Sequence, residues 1–433
     1  MTRTFTLAFL EPGHFHAALT LKTSNARVDR NVHLYSTPGA EREAFVALVK
    51  AFNTRDDNPT DWHVQVHESE APRTKLVDDG HADVVILAGQ NAAKLEHIAA
   101  LHRAGIAVLA DKPWLTDPAA LADLHQVTSG VPLALDIMTE RHDVMAGLRQ
   151  RICTDDAILG GFATAHPEGA AIEIGSRHHL FKRVNGAPVR RPAWYYDVRV
   201  QGDGLVDIQS HMVDQMQWLV GGESNFDFES DVSGLTAKRW GTEVDAALFK
   251  DSTGHDALPP TLDRAISNGV LDLQCNSVIN YTLRGVPVQQ QAQWGQREPE
   301  GSGDIHAARI RGQHAQLHLE HGPETDFLPR LHLLPATGSD AQSAAQAAVE
   351  RWRADIPGLE LRASRFGFEF FVPLASRTTH EQHFAMVLDE FLDLMENTQT
   401  GQPGSWPRAH AARIRMRYTL LAAACSLIDG ATP

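Results

Sequence analysis

Short apolar runs alternate with amphipathic segments through the first 150 residues, and this alternation constrains the fold more than any other feature of the chain. Residues 84–87 are apolar throughout, as in a strand with both faces buried, whereas residues 94–104 carry apolar side chains at helical spacing. Strands that alternate with helices form a doubly wound, mainly parallel sheet, which binds ligands at the carboxyl ends of its strands. The pattern predicts strands at residues 4–10, 32–35, 64–66, 84–87, 107–110 and 133–135.

The pattern changes after residue 150, where alternating segments joined by turns indicate antiparallel strands. Two hairpins are predicted, at residues 277–293 around Arg284-Gly285 and at residues 305–320 around Gly312. Amphipathic helices are predicted at residues 380–397 and 408–427, whereas the Ala- and Ser-rich residues 336–347 predict a linker or a poor helix.

A chain of 433 residues is too long for one ordinary core, and its 43% apolar content is enough for two. We therefore expect an α/β Rossmann domain over residues 1–150. We expect an α+β domain over residues 151–433, with a large, mainly antiparallel, open-faced sheet. Because an uncovered apolar sheet face is unfavourable, we also expect a homo-oligomer formed through that sheet.

The composition argues against several classes of protein. A formal charge of −15 without a block of Lys or Arg argues against a nucleic-acid or anionic-membrane partner. The three cysteines are far apart, so neither a disulfide framework nor a cysteine zinc site is indicated. No apolar run reaches the roughly 18 residues of a membrane span, and the N-terminus does not read as a signal peptide, so we expect a cytoplasmic protein.

Residues 11–16, which read EPGHFH, follow the first strand at the place where a dinucleotide-binding domain has GxGxxG. Gly13 stands at the second glycine position, where the backbone can approach a pyrophosphate at a helix N-terminus. Glu11 and His16 replace the other two glycines, so the segment by itself is equally consistent with a tight strand-to-helix turn. The second strand ends in Ser36-Thr37 without an acid, and Arg42 follows, so NAD and NADP are not distinguished.

The strand at residues 107–110 is followed by Asp111-Lys112-Pro113, which places a lysine at the edge of the sheet where ligands bind. Together with DVVILAGQN at residues 83–91 and AGIAV at residues 104–108, this motif resembles the glucose-fructose oxidoreductase / inositol dehydrogenase / rhizopine-catabolism superfamily. That family has an acid-Lys-Pro signature here, usually with Glu in place of Asp111. The resemblance covers roughly the first 140 residues, with the spacing of βαβ units.

A second stretch supports the resemblance. Residues 201–214 read QGDGLVDIQSHMVD, which is similar to the family's glycine-rich loop and its following helix with Asp-x-x-x-His. Asp207, His211 and Asp214 would share one helix face. The segments 13–16, 136–141 and 194–198 are similar to a branch of the family that has an atypical glycine loop and its own C-terminal oxidoreductase domain.

The resemblance implies catalytic roles for Lys112, Asp207 and His211. Imidazole titrates near working pH, so His211 is the candidate base, with Asp207 orienting it or holding a neighbouring hydroxyl. Lys112 would donate to the reacting oxygen, and which of Lys112 and His211 takes the proton stays open. The cofactor, NAD or NADP, is expected at Gly13, His14, Phe15, His16, Ser36, Thr37, Asn91, Asp111, Lys112 and Pro113. The substrate is expected at Arg141, His179, Trp194, Tyr196, Asp197 and Asp207.

We therefore predict an NAD(P)-dependent oxidoreductase that acts on a secondary hydroxyl of a sugar, glycoside or cyclitol and forms a keto-sugar. A redox-neutral NAD-dependent glycosidase and a non-catalytic cofactor-dependent sensor are the alternatives. The 23 histidines also raise the question of a metal site formed by His178, His179, Asp207 and His211. Adjacent histidines lack the i, i+4 spacing of helical ligands, so no metal is predicted.

Overall fold

The computed structural model describes residues 4–128, 131–184, 187–299, 303–399 and 405–430. A six-stranded sheet in the order β3-β2-β1-β4-β5-β6 forms the N-terminal part, and every strand pair in it is parallel. Its strands are β1 (Leu7–Leu10), β2 (Asn31–Ser36), β3 (His63–Glu68), β4 (Val84–Leu87), β5 (Ala107–Ala110) and β6 (Ala134–Asp136). The predicted doubly wound parallel sheet is confirmed.

The central strands β1, β4 and β5 are buried at every position, which explains why their sequences are apolar without alternation. The accompanying helices are α1 (His16–Leu19), α2 (Ala40–Thr54), α3 (Pro72–Asp79), α4 (Lys94–Arg103), α5 (Leu121–Val127) and α6 (Val144–Thr154). The sequence pattern did not predict α3. This helix is mostly polar and buries only Pro72 and Leu76, so it carries almost no apolar periodicity.

A ten-stranded sheet dominates the C-terminal part, in the order β10-β12-β13-β7-β14-β15-β16-β18-β17, with β11 paired to β12. Only β13 and β7 pair in parallel among its described strands, so the sheet is mixed and mainly antiparallel, as predicted. Its strands are β7 (Ile172–Phe181), β10 (Val232–Val244), β11 (Ile266–Ser267), β12 (Val270–Leu283), β13 (Val286–Arg297), β14 (Ile305–Arg311), β15 (Ala315–His321), β16 (Arg330–Pro335), β17 (Glu360–Ser364) and β18 (Gly367–Phe371). A separate two-stranded sheet pairs β8 (Arg183–Val184) with β9 (Ala187–Pro188).

Both predicted hairpins are present, as β12–β13 and β14–β15. Arg284 and Gly285 both have positive φ angles, of 50° and 81°, which is the conformation that a two-residue hairpin turn requires. The helices of this part are α7 (Val198–Gln201), α8 (Asp207–Gly221), α9 (Phe228–Asp231), α10 (Ala246–Thr253), α11 (Ala341–Trp352), α12 (His380–Gln399) and α13 (Ser405–Asp429).

Residues 336–347 were predicted to be a linker or a poor helix, and from Ala341 onward they form the start of α11. The buried face of this helix consists mainly of alanines, which pack closely against the sheet but give a weak apolar signal in the sequence. None of the described helices is long and apolar enough to cross a membrane.

The last two helices return to the N-terminal sheet. Trp114, just after β5, donates its backbone N–H to the hydroxyl of Tyr418 on α13 at 2.9 Å, and both side chains are buried. The ring of Phe384 on α12 packs against His16 at the start of α1. The last strand of the first sheet ends at Asp136, and the first strand of the second sheet begins at Ile172. The domain boundary at residue 150 stays a prediction.

A buried ionic network fixes α8 between β6 and α13. Arg417 pairs with both Asp136 and Asp214, and its side chain is 1% exposed. Arg141 makes two further bonds to Asp214, at 2.7 and 2.9 Å. Because a buried charge is costly unless it is paired, this network holds the position of α8 relative to the N-terminal sheet.

Replacing Arg417 with Leu should lower the free energy of unfolding by about 3–5 kcal/mol, because Asp136 and Asp214 would lose a buried partner. Urea unfolding followed by circular dichroism measures this loss. The matched control is Arg30→Leu, which removes an exposed ion pair with Asp61 and should cost at most about 1 kcal/mol. Equal losses in the two variants would show that the network does not hold the fold.

Candidate active site

Lys112 and Asp207 form a buried ion pair between the end of β5 and the first residue of α8. Lys112 Nζ lies 2.5 Å from Asp207 Oδ1, and the two side chains are 10% and 8% exposed. Burial by itself would lower the pKa of Lys112, but the charges of Asp207 and Asp111 outweigh it and raise that pKa. Lys112 is therefore a cation at neutral pH, held at the edge of the sheet where ligands bind.

His211 lies one turn further along α8 and contacts Glu140, whose Oε2 is 2.9 Å from His211 Nδ1. Burial would raise the pKa of Glu140, but the charge of His211 and, more weakly, that of His380 lower it to about 2. We expected Asp207 to orient His211, whereas the structure pairs Asp207 with Lys112 and His211 with Glu140. Glu140 follows β6 and has no sequence spacing relative to His211 that could have indicated the contact.

The glycine loop joins β1 to α1 in a strained turn. Glu11, at the first glycine position, has a φ of 43°, which is unusual for a residue with a side chain. The N–H groups of Gly13 and His14 both donate to the carbonyl of Ala88, at 3.1 and 2.9 Å. A Cβ atom on Gly13 would lie 3.3 Å from the Trp194 ring and 3.4 Å from the Glu41 carboxylate, so this corner is tightly enclosed.

His16, at the third glycine position, bonds to Asp111: Nδ1 and Oδ2 are 2.8 Å apart. His14 Nδ1 lies 3.9 Å from the same oxygen, and the exposed Phe15 ring packs beside both imidazoles. Burial, together with the neighbouring His16, lowers the pKa of His14 well below its usual value. Burial would raise the pKa of Asp111, but His16 and then Lys94 lower it far below the usual range.

Lys94 and Asn91 form hydrogen bonds around the glycine loop and the end of β5. Lys94 is buried at the start of α4 and donates to the carbonyl of Asp111 at 2.7 Å. Burial lowers the pKa of Lys94 to about 8. Asn91 donates to the carbonyl of Gln201 at 2.7 Å, which joins the segment after β4 to the last residue of α7. Sequence reasoning missed Lys94, since a lysine in a helical pattern normally lies on the solvent face.

The end of β2 carries a buried hydroxyl group that lacks a hydrogen-bond partner among the described residues. Ser36 Oγ is buried and has no hydrogen-bond partner among the described residues, whereas Thr37 is exposed. Glu41, in the first turn of α2, brings a carboxylate beside Gly13, whereas the sequence showed no acid at the end of β2 itself. Arg42 is bound to Glu68 and Glu43, at 2.7 and 2.9 Å.

The predicted substrate residues do not all gather at the Lys112 end of the sheet. Trp194 reaches the glycine loop and donates to Glu41 Oε1 at 2.5 Å. Three of the other five make contacts that stabilise the fold: Arg141 with Asp214, Tyr196 with Ser252, and Asp197 with Arg199.

His178 and His179 are neighbours on β7, so their side chains point to opposite faces of the sheet. His178 lies opposite Trp294, which is on the same face as Gln290. Gln290 donates to Gln209 of α8 at 2.7 Å, so His178 shares the face covered by that helix and His179 does not. The alternation excludes a single metal site that contains both histidines.

The C-terminal part, residues 148–426, matches the model of a protein family described as "Putative oxidoreductase C terminal domain". The chain belongs to this oxidoreductase family. A crystal structure of a protein from Parabacteroides merdae, described as a putative oxidoreductase, is 32% identical in sequence to this chain. The match covers 99% of this chain and 98% of the Parabacteroides chain, with a TM-score of 0.91. A comparison with curated proteins gave no significant match.

Two more distant structures share the fold of this oxidoreductase. GenD2 from gentamicin A biosynthesis, in complex with NAD, is 15% identical, with coverages of 99% and 96% and a TM-score of 0.55. Levoglucosan dehydrogenase, in complex with NADH and levoglucosan, is 14% identical, with coverages of 98% and 97% and a TM-score of 0.59. These two likenesses show a shared fold, which agrees with the predicted parallel N-terminal sheet and mainly antiparallel C-terminal sheet.

Glu140→Gln should make the stability of the oxidoreductase less sensitive to acid. A carboxyl whose pKa falls from 4.5 to about 2 on folding stabilises the fold fully above pH 4.5 and loses that contribution as the pH falls toward 2. Solvent reaches part of this side chain, so the wild type should exceed the variant by about 1–2 kcal/mol at pH 6.

Urea unfolding at pH 6, 5, 4 and 3 measures the difference between the two proteins. It should shrink steadily below about pH 4.5. A difference that stays constant from pH 6 to pH 3 would contradict a charged contact between Glu140 and His211.

Proposed function

We propose that this protein is an NAD-dependent oxidoreductase that oxidises a secondary hydroxyl of a sugar, glycoside or cyclitol to the ketone. The observation that carries the proposal is the convergence of two charged pairs, Lys112–Asp207 and His211–Glu140, on one turn of α8 beside the end of β5. One pair presents a cation and the other presents an imidazole, which are the two groups that alcohol oxidation requires. The cofactors and sugar present in the distant structures agree with this reading.

The residues around the glycine loop suit a dinucleotide. Ser36 Oγ is a buried polar atom without a partner among the described residues, at the strand end where a ribose binds in this fold. Gly13 stands at the second glycine position of the loop, and the carboxylate of Glu41 lies beside it. When bound, the nicotinamide ring supplies the acceptor for the hydride of the alcohol carbon.

The proton of the substrate hydroxyl goes to His211 in this proposal. Lys112 stays protonated because Asp207 is its partner, so it donates a hydrogen bond to the reacting oxygen and stabilises the negative charge that develops there. His211 Nδ1 faces Glu140, which leaves Nε2 to accept the proton. Glu140 fixes the orientation of the ring and stabilises the imidazolium that forms.

The face of the second sheet that α8 covers supplies the polar and aromatic groups of a sugar site. His178 lies 3.2 Å from Asp304, and its ring centre is 5.0 Å from that of Trp294. Carbohydrate sites combine hydrogen-bonding groups with an aromatic face. We assign this role to His178, because His179 points to the other face.

The Lys112→Met and His211→Asn variants should each lower kcat for NADH formation by about 10²–10⁴-fold on whichever sugar or glycoside the wild type oxidises. The matched controls, Lys75→Met and His63→Asn, replace a partly exposed lysine and an exposed histidine on other elements and should keep wild-type turnover.

Absorbance at 340 nm over a panel of sugars, glycosides and cyclitols measures the rate. If both site variants kept wild-type turnover, the assigned site would be wrong. Release of an aglycone without net NADH would replace the proposal with a redox-neutral glycosidase. Binding of NAD without turnover on any compound would favour a cofactor-dependent sensor.

Glu41 should make the enzyme prefer NAD over NADP. Its carboxylate beside Gly13 would repel a 2′-phosphate, and Arg42 is already bound to two acids. Glu41→Ser should shift the ratio of kcat/KM for NAD and NADP at least tenfold toward NADP, whereas the exposed Glu70→Ser should leave it unchanged. A wild type that prefers NADP would contradict this assignment.

A further inference from the structure

His14, His16 and Asp111 bring three potential metal-ligand atoms within 4.8 Å of one another at the corner between β1 and α1. The two histidines flank Phe15, and Asp111 arrives from the end of β5. We expect all three residues near the cofactor, but neither that role nor the roles of Lys112, Asp207, His211 and Glu140 needs two imidazoles and a carboxylate to lie this close together. Their arrangement therefore calls for a separate explanation.

His14 is the member that lacks a partner. Its Nδ1 is buried and makes no hydrogen bond to any described residue, and the nearest Asp111 oxygen is 3.9 Å away. A buried nitrogen without a hydrogen bond is unfavourable. Coordination of a metal ion would satisfy His14 Nδ1, and the short contact between His16 and Asp111 would open to share the same ion.

Neighbouring groups hold the other two side chains in position. Asp111 Oδ1 accepts the N–H of Lys112 at 2.9 Å, which leaves Oδ2 for the imidazoles. The His16 ring packs on Phe384 of α12, with the ring centres 4.6 Å apart. Such outer contacts orient the ligands in metal sites, and the charge of the nearby Lys112 is offset by Asp207.

We propose that His14, His16 and Asp111 bind one divalent transition-metal ion, of the Zn²⁺ class. Two imidazoles and one carboxylate form a ligand set that Zn²⁺ and similar ions accept, and they leave coordination positions open for water or a ligand oxygen. The site stands where other dinucleotide-binding loops have their third glycine. The inference does not depend on the proposed oxidoreductase activity.

Metal binding to the full-length protein tests the proposal directly. Protein stripped with a chelator and then dialysed against Zn²⁺ should hold one ion per chain by mass spectrometry. Co²⁺ should add visible absorption bands typical of an imidazole- and carboxylate-bound ion. His14→Ala, His16→Ala and Asp111→Asn should each weaken Zn²⁺ binding at least tenfold by calorimetric titration.

His33→Ala/His67→Ala is the matched control, because it removes another pair of touching imidazoles, 2.9 Å apart, on β2 and β3. It should leave the stoichiometry and affinity unchanged. Circular dichroism checks that each variant is folded, and His14→Ala keeps the test decisive if Asp111→Asn unfolds, because the His14 side chain is 29% exposed.

Two results would overturn the proposal. One is a wild type that binds Zn²⁺ no more tightly than the folded His14→Ala variant. The other is a loss of the bound ion in the His33→Ala/His67→Ala control, which would locate the binding at that second histidine cluster.

Discussion

The ion pair between Lys112 and Asp207 is the contact on which the arrangement of the site depends. It joins the end of β5 in the first sheet to the first residue of α8, which packs on the second sheet. Burying either charge without the other would be costly, so the two side chains stay in contact. The pair therefore holds the first turn of α8 at the carboxyl-end edge of the parallel sheet. The Arg417 network then holds the same helix further along, at Asp214.

Each acid around the site has a different basic partner, and this division determines the chemistry available. Asp207 holds Lys112, Glu140 contacts His211, and Asp111 bonds to His16. Because the lysine has its own carboxylate, it stays charged and serves as a donor, and the imidazole is left to exchange the proton. If Lys112 and His211 shared one carboxylate, the division between a charged donor and a proton-exchanging imidazole would be less clear.

The sequence predicted an element well where its buried side chains are large and apolar, because these give a clear hydrophobic periodicity. It predicted an element poorly where the buried side chains are few or small. Strands β1, β4 and β5, which are buried on both faces, were found as apolar runs, and the Arg284-Gly285 turn identified its hairpin. Helix α3 was missed because a polar helix carries little apolar periodicity, and the alanine-rich face of α11 left a linker and a poor helix as equal alternatives. At the candidate site, motifs pointed to Lys112, Asp207 and His211, whereas the contacts of Glu140, Glu41 and Lys94 correspond to no motif in the sequence.

The sequence by itself determined the parallel sheet, the position of the glycine loop and the residue types at its ligand edge, since local periodicity and short motifs fix these. Only the tertiary structure decided which side chains pair. Glu140 meets His211 because β6 and α8 converge, and His178 rather than His179 faces α8 because of the strand's alternation across the sheet. Contacts between side chains from distant segments depend on how the elements pack. Sequence spacing does not give the distance between such side chains.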